Sequence, residues 1–320
     1  MIPAMAGRKN GKVYLHRMRY TFFFSSSARR HAVRLLITAT ATVLFSCASP
    51  QGVHDTVTVG TFNMEWLGDG QGDNKTRNDG DYLKIADVIL KTEADVLGIQ
   101  EVENDQALRK VLRYMEGYDG FVANGGSAQN VGVIFRKGMT VENKGLYMPL
   151  AINPSRNRPG LVLACRKGDF DWLMMVVHLK STSRYDSTNA LREESRTVRA
   201  QQADVLHAWV DSTLRSGKEA DVLIVGDMND FPARRQQPTL TALIEDPNVT
   251  FITSQLKSCK NQSWFVIDHV VASTSAMKRY IKGSERLENF RAFLDAADSD
   301  VVSDHCPVLV RFSTAGPDND

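Results

Sequence analysis

The stretch VLIVGDMN, residues 222–229, contains the pattern that decides the fold of this 320-residue chain. Four aliphatic residues in succession predict a short strand that is buried on both faces. Asp227 and Asn229 follow directly, where that strand ends. Taken alone the signal is weak, because Asp and Asn are common in turns. Its meaning depends on whether the same pattern recurs elsewhere in the chain.

The pattern does recur, because polar side chains lie at the ends of most apolar runs that predict strands. These side chains are Asn63, Glu101, His178, Asp227, Asn229, Asp304 and His305, and Asp268 lies within such a run. Buried strands that end in carboxylates gather polar groups at one rim of a sheet. Carboxylates gathered in this way repel one another unless they are protonated or bind a cation. A hard cation with oxygen ligands, such as Mg²⁺, resolves that repulsion.

Strand and helix patterns alternate along the chain, but several strands also follow one another directly. The predicted strands are 57–63, 96–100, 131–135, 141–147, 161–165, 172–177, 222–225, 265–271 and 308–312. The predicted helices are 82–90, 106–115, 190–214 and 239–244. This order fits neither a purely doubly wound sheet nor an all-β sandwich. It predicts an α/β fold, a four-layer sandwich in which two mixed β-sheets pack face to face with helices on the outside.

Residues 1–47 are interpreted as an N-terminal extension followed by a lipoprotein-type signal peptide. Three arginines (Arg29, Arg30 and Arg34) precede a short apolar core, Leu35–Phe45, that is too short to span a bilayer comfortably. Residues 44–47, LFSC, look like a bacterial lipobox in which Cys47 is lipidated. The alternative is an ordinary cleaved signal peptide with an incidental Cys47. Either interpretation predicts export, to the bacterial cell envelope (lipid-anchored or periplasmic) or to the medium.

The rest of the chain is interpreted as a linker, 48–55, one domain, 56–313, and a polar tail, 314–320. No segment rich in Pro or Gly divides the domain, and 42% hydrophobic and 24% charged residues are ordinary for a globular protein. The formal net charge of +2 is misleading, because residues 1–46 hold eight of the 39 basic residues and no acidic one. The remaining 31 basic and 37 acidic residues give a net charge of −6. Binding of nucleic acid or phospholipid must therefore rely on a local basic patch or on bound metal.

Three cysteines follow Cys47, so at most one internal disulfide can form among them. In an oxidising periplasm we expect the pair Cys165–Cys259, which leaves Cys306 over.

Six short blocks of sequence resemble, in order, the signature blocks of the endonuclease/exonuclease/phosphatase family. They are TFNMEW (61–66), GIQEVEN (98–104), VHLKS (177–181), GDMNDFP (226–232), IDHVV (267–271) and SDHCP (303–307). That family includes pancreatic-type deoxyribonucleases, abasic-site endonucleases, neutral sphingomyelinases and inositol polyphosphate phosphatases. The resemblance extends from Thr58 to Phe312, and it is far less specific for the substrate than for the family.

The resemblance implies a role for each of the polar residues at the strand ends. Glu101 would be the principal ligand of Mg²⁺ (or of Mn²⁺ or Ca²⁺), with Asn63 and Asp304 near the same ion. Five residues would be catalytic: His178, Asp227, Asn229, Asp268 and His305. Asp227 would orient or deprotonate the attacking water, although the base is either Asp227 or His305, and Asn229 would hold that water or donate to the phosphate. The two histidines would donate to the phosphate, and Asp268 would bond to the ring of His305.

Several other charged residues have two interpretations each. Glu65 is a further metal ligand or an outward carboxylate, and Lys180 contacts phosphate or lies in a solvated loop. Three arginines, Arg156, Arg158 and Arg166, either contact substrate phosphate or lie in a solvated loop. Three more at helical spacings, Arg192, Arg196 and Arg199, are predicted to make surface ion pairs.

These features predict an exported, divalent-metal-dependent phosphoesterase that acts as a monomer. The predicted substrate is nucleic acid, with DNA cut internally. The alternative substrates are sphingomyelin-like lipids or inositol phosphates. A sphingomyelinase favours an exposed aromatic hairpin for membrane insertion, whereas the four tryptophans all fall in predicted regular elements or at their ends. A catalytically inactive binding protein is disfavoured, because none of the residues that the resemblance marks is missing.

Overall fold

The computed structural model describes residues 55–125, 128–183 and 185–318. The predicted signal peptide and Cys47 lie outside these residues. The strands of the described part are β1 (Thr56–Leu67), β2 (Val96–Val102), β3 (Tyr118–Val122), β4 (Asn130–Arg136), β5 (Thr140–Tyr147), β6 (Gly160–Lys167), β7 (Phe170–His178), β8 (Val222–Asp227), β9 (Val249–Phe251), β10 (Asp268–Ser273), β11 (Arg286–Leu287) and β12 (Val308–Ser313). The helices are α1 (Asp79–Lys91), α2 (Asp105–Leu112), α3 (Asn189–Ser216), α4 (Thr241–Ile244) and α5 (Ala296–Val302).

The strands form two mixed six-stranded sheets. The first has the order β11-β12-β1-β2-β4-β3 and the second β5-β6-β7-β8-β10-β9. Each sheet contains one parallel pair near its centre, β1 with β2 and β7 with β8, and its other pairs are antiparallel. The predicted fold class is therefore confirmed.

The two sheets pack face to face through an apolar layer. Along β1, Val57 and Val59 point into that layer, together with Val176 of β7 and Val225 of β8. Gly98 of β2 allows close approach, because a Cβ atom there would lie 2.7 Å from a methyl group of Val225 in the opposite sheet. The side chains that alternate with these point outward, as strand geometry requires.

The helices cover the outer faces of both sheets. Phe62 and Met64 of β1 pack with α1 and α2, whereas Met175 and Val177 of β7 pack against α3. Helix α3 starts at the side chain of Thr188, which accepts from the N–H of Leu191, and ends at Gly217 in the left-handed conformation. Among the described residues, no helix combines the length and apolar character needed to cross a membrane.

Every predicted strand and helix has a counterpart, but the sequence patterns missed short elements. These are β3, β9, β11 and α5, each of which is either partly exposed or only two to seven residues long. Such segments lack a sustained apolar period and are held by their neighbours in the sheet or core.

The expected disulfide Cys165–Cys259 is wrong, because Cys259 is bonded to Cys306, with Cα atoms 6.2 Å apart. Cys165 is the free cysteine of the described part and is buried in the layer between the sheets. Its place on β6 points it into that layer, away from the loop of Cys259. The bond instead fastens the loop that precedes β10 to the segment that precedes β12.

Peptide mapping without reduction is predicted to recover Cys259 linked to Cys306, with Cys165 as a free thiol. Replacing both bonded cysteines by serine should lower the free energy of unfolding by up to about 4 kcal/mol, because the bond closes a long loop in the unfolded chain. The variant Cys165→Ala, which removes no bond and adds no hydroxyl to the apolar layer, is the control for denaturant titration. Recovery of a peptide that joins Cys165 to Cys259 would contradict the pairing.

His269 of β10 is predicted to make the fold sensitive to acid. Its ring is fully buried and lies 3.1 Å from Thr253 Oγ1 and 3.1 Å from the backbone oxygen of Asp230. Burial lowers its pKa to about 4, although nearby Asp268 and Asp230 oppose that shift. The unfolded chain therefore binds the extra proton first, and the stability that His269 contributes is lost as pH falls from about 6.5 to about 4.

Over that interval the loss should reach about 3 kcal/mol at most. Urea unfolding of the wild type and of His269→Gln across this pH range measures it, since other titrating groups act equally on both. The difference between the two proteins should shrink on acidification, and a difference that does not change with pH would contradict the assignment.

Candidate active site

The predicted polar residues gather at one end of the apolar layer. Alternation along the strands puts Asn63 on the same face as Val59, His178 on the face of Val176, and Asp227 on the face of Val225. β7 and β8 end at this rim, and β1 passes it at Asn63. β10, which is antiparallel to β8, begins there with Asp268 opposite Asp227. The rim is therefore the polar end of an otherwise apolar layer.

Glu101 reaches the rim through an irregularity of the backbone. Regular alternation would place it beside Ile99, which packs on the helical side of the sheet. The register between β2 and its neighbours shifts after Ile99, and Glu101 has a φ of +59°. A bulge with a left-handed residue re-aims a side chain, and such strained residues cluster at functional sites.

Asn63 holds two carboxylates of the site. Its side-chain amide donates to Glu101 Oε1 and to Asp227 Oδ2, both at 3.1 Å. Its oxygen accepts the backbone N–H of Glu65 at 2.9 Å. In this arrangement Asn63 positions the carboxylate of Glu101, and its predicted role as a metal ligand stays a prediction.

Asp227 is almost fully buried, and burial raises its pKa to about 7. The charge of His305 opposes this rise, whereas the neighbouring Asp268 adds to it. Oδ2 of Asp227 accepts from Asn63, and its Oδ1 accepts the backbone N–H of Asn229 at 2.8 Å. Asn229 has a φ of +54°, and its side chain donates to the backbone oxygen of Leu179 at 3.1 Å. Asn229 therefore ties the end of β8 to the end of β7.

His178 faces the same pair of carboxylates. Its Nε2 lies 3.6 Å from Asp227 Oδ2 and 3.7 Å from Glu101 Oε1. Burial lowers its pKa well below the usual value, and the charges of Arg158 and His305 add to that effect. The ring is therefore neutral, and these distances are too long for hydrogen bonds.

His305 is fixed by Asp268. Its Nδ1 donates to Asp268 Oδ2 at 2.7 Å, and its backbone N–H donates to Ser303 Oγ at 3.0 Å. Ser303 in turn donates to the backbone oxygen of Asn63 at 2.7 Å, which joins this segment to β1. Burial opposes a charge on His305, but the carboxylates of Asp268, Asp227 and Asp304 raise its pKa well above the usual value. The ring is therefore a charged donor whose Nε2 lies 4.0 Å from Asp227 Oδ2.

Asp304 lies at the outer edge of the site, with 41% of its side chain exposed. Lys260 Nζ stands 3.4 Å from its Oδ2, and His305 Nε2 stands 3.8 Å from its Oδ1. The structure thus brings Asp304 to His305, and its predicted role near the metal stays a prediction. Lys260 was missed because it lies on an irregular loop.

The three arginines that were grouped as phosphate contacts separate in the structure. Arg158 is held by Gln129, and its charge acts on Glu101, Asp227 and His178, so it lies at the site. Arg156 forms an exposed ion pair with Glu194 at 3.2 Å. The third, Arg166, is exposed at the far end of β6.

Two further expectations for charged residues change. Arg199 is buried rather than paired on the surface: its side chain donates to Thr239 Oγ1 at 2.8 Å and to the backbone oxygen of Lys180 at 2.6 Å. Position 199 falls on the face of α3 that packs on the sheet, which spacing alone does not reveal. Glu65 pairs with Lys75 at 2.5 Å, which favours the interpretation as an outward carboxylate.

The donors at the rim fit a hard divalent cation. The carboxylate of Glu101 is bonded only by N–H donors, from Asn63 and from the backbone of Trp66 at 3.2 Å, and it is 15% exposed. Three carboxylates, those of Glu101, Asp227 and Asp268, face two cations, His305 and Arg158. An added cation relieves the excess negative charge, and oxygen ligands favour Mg²⁺ over softer metals.

Comparison with known proteins identifies the family of the chain and solved structures of similar fold. The model of the Endonuclease/Exonuclease/phosphatase family matches residues 60–305. Truncated TDP2 from Caenorhabditis elegans superposes with a TM-score of 0.58 and 18% identity, covering 81% of this chain and 97% of that one. The mannosyl-6-phosphatase Bt3783 from Bacteroides thetaiotaomicron gives 0.54 and 15%, covering 79% and 98%. The human nocturnin catalytic domain gives 0.55 and 14%, covering 82% and 95%. At these identities the likeness shows the fold alone, and no curated protein matches the chain.

Glu101→Gln is predicted to weaken the binding of Mg²⁺ at least about tenfold, because it removes the anionic ligand while keeping its shape. Titration calorimetry measures this without any substrate. The control is Glu103→Gln, since Glu103 forms a separate acidic group with Asp69 and Asp73. Loss of binding in Glu103→Gln, with Glu101→Gln unaffected, would move the ion to that other group.

Proposed function

The chain belongs to the endonuclease/exonuclease/phosphatase family, whose members hydrolyse phosphate ester bonds, and on this premise we propose that it is an exported nuclease that uses a divalent cation to cleave DNA internally. The observation that carries the proposal is the convergence of Glu101, Asp227, Asp268, His178 and His305 at one rim. A neutral histidine, a charged histidine and several carboxylates beside one another suit phosphoryl chemistry.

The side chains at the rim divide the work of hydrolysis. His305, held by Asp268, presents Nε2 to a phosphate oxygen as a donor, and neutral His178 presents its Nε2–H to another. That leaves the carboxylate of Asp227, which Asn63 and Asn229 hold in place, to accept a proton from the attacking water.

Two groups bind the phosphate and the cation. Arg158 supplies a positive charge for the phosphate, and its contact with Gln129 fixes its direction. Glu101 would hold the cation, while Asn63 fixes its carboxylate. When bound, Mg²⁺ polarises the phosphoryl oxygen and stabilises the charge that develops on the leaving oxygen.

DNA is the favoured substrate for two reasons. TDP2 from D. rerio has been solved with a single-strand DNA product, and it has a TM-score of 0.57 and 15% identity to this chain, covering 80% of it and 98% of that chain. The rim also holds two donors to phosphate oxygens, Arg158 and the charged ring of His305, which suit a phosphodiester of DNA. Attachment to the cell envelope through lipid at Cys47 would keep such an enzyme where extracellular DNA arrives.

A lipid phosphodiesterase is the second candidate, and one specific observation favours it. Trp264 is 58% exposed, on the loop between β9 and β10, although the sequence pattern placed it at a strand end. An exposed tryptophan close to Asp268 in the chain suits insertion into a membrane interface. The argument from the tryptophans against a sphingomyelinase is weakened accordingly.

The test compares plasmid DNA, structured RNA, sphingomyelin and a soluble inositol phosphate as substrates for residues 48–320, each with Mg²⁺ and with chelator. We expect nicking of plasmid that chelator abolishes. His305→Ala should slow it at least about 10²-fold, because a charged donor to the phosphate is lost. His207→Ala changes a half-buried histidine on α3 that lies 3.5 Å from Asp246, outside the rim; it is the control and should not slow the reaction.

Other results assign the site differently. Intact plasmid with released phosphocholine would make the second candidate correct, and free phosphate from the inositol compound would indicate a phosphomonoesterase. Equal rates in His305→Ala and wild type would make His305 structural. Mass spectrometry of the processed precursor tests export independently, since a lipid-modified Cys47 is expected at the mature N-terminus.

A further inference from the structure

A second polar feature lies at the opposite end of the strands from the rim. It is an open cavity of about 940 Å³, lined mainly by loop and strand-end residues. Five basic side chains line it: Arg136, Lys137, Lys167, Arg286 and Arg311. We call this feature the basic cavity.

Strand polarity separates the basic cavity from the active site. Thr56 and Thr58 of β1 line the cavity, whereas Asn63 lies at the rim. In β2 the cavity residue Asp95 precedes the strand, and Glu101 lies near its other end. Five or six strand residues span roughly 16–20 Å, so neither feature is part of the other.

The basic cavity keeps an excess of positive charge. Only two acidic residues, Glu93 and Asp95, line it. Asp95 is buried and already paired, with Arg136 at 3.3 Å and with Lys167 at 2.7 Å. Lys137 and Arg311 are exposed. The excess stands out because residues 47–320 carry 31 basic and 37 acidic residues. The net charge of the domain cannot explain it.

We propose that the basic cavity is a docking surface for a bilayer that contains anionic phospholipid. Clustered basic side chains attract such a surface over about one Debye length, and each contributes roughly fivefold in affinity. The ligand class is the phosphate of lipid headgroups, which suits Lys and Arg side chains.

The course of the chain favours a membrane as the occupant. The described residues start at Asp55, beside the cavity residue Thr56. Cys47, the predicted site of lipid attachment, is eight residues earlier, a distance of at most about 29 Å in extended chain. A lipid at Cys47 would thus keep a bilayer within reach of the basic cavity.

The test measures co-sedimentation of residues 48–320 with vesicles. This segment contains every described strand and helix, the apolar layer between the sheets and the buried side chains under the helices. It lacks Cys47, so the surface is tested without the lipid. Vesicles of phosphatidylcholine alone are compared with vesicles that also contain phosphatidylglycerol. We expect binding that requires phosphatidylglycerol and weakens as salt is raised.

Two matched variants locate the surface. Lys137→Glu with Arg311→Glu should weaken vesicle binding at least about tenfold, because both side chains line the basic cavity. Lys144→Glu with Arg215→Glu makes the same change in charge at exposed positions outside the cavity and should leave binding unchanged. All three proteins should give the same circular dichroism spectrum, which shows that the fold is intact.

Three outcomes would overturn the proposal. The first is no binding to phosphatidylglycerol at low salt, and the second is equal loss in both variants. In the third, the cavity variant keeps vesicle binding but loses affinity for duplex DNA, which would assign the cavity to nucleic acid. None of these readouts depends on nuclease activity or on lipid at Cys47, so the proposed function can fail or hold independently.

Discussion

The apolar layer between the two sheets is the constraint on which the rest of the structure depends. Side chains alternate along a strand, so every second residue faces the layer. Where such a strand reaches the end of the layer, the next residue on the same face as its buried valines lies at that end. Val176 is followed on its face by His178, and Val225 by Asp227. The active site thus lies where the apolar layer ends. Its residues are partly in an environment of low dielectric constant.

That position has an energetic cost. A buried carboxylate needs donors or a cation, which Asn63 and His305 supply for Asp227 and Asp268. Two buried atoms, His178 Nδ1 and Asp268 Oδ1, have no hydrogen-bond partner within the described part of the chain. Each such atom costs about 1–3 kcal/mol, which the large apolar layer has to offset. These two unpaired polar atoms also favour the binding of a phosphate and a cation at the rim.

Strand alternation explains how much the sequence could predict. It places Asn63, His178 and Asp227 on one rim, because each ends or follows an apolar run. Asp268 lies inside the predicted strand 265–271, and the structure instead begins β10 at this residue. Alternation marks Glu101 as the residue that follows the run 96–100 but gives its side chain the wrong direction, because that direction depends on a bulge in the backbone. A bulge of this kind cannot be recognised from the spacing of hydrophobic residues in the sequence.

Contacts between distant segments set the other limit of prediction. Cys259 pairs with Cys306 because a long loop folds over the end of the first sheet, and no spacing rule encodes that path. Arg158 joins the site through Gln129 on a different loop. Both features reinforce the rim from outside the sheets. The rim stays acidic even so, and it therefore repels phosphate until a cation is present. Because linkage is reciprocal, a phosphate substrate must in turn tighten the binding of that cation. Metal and substrate are thus best regarded as partners in one binding event.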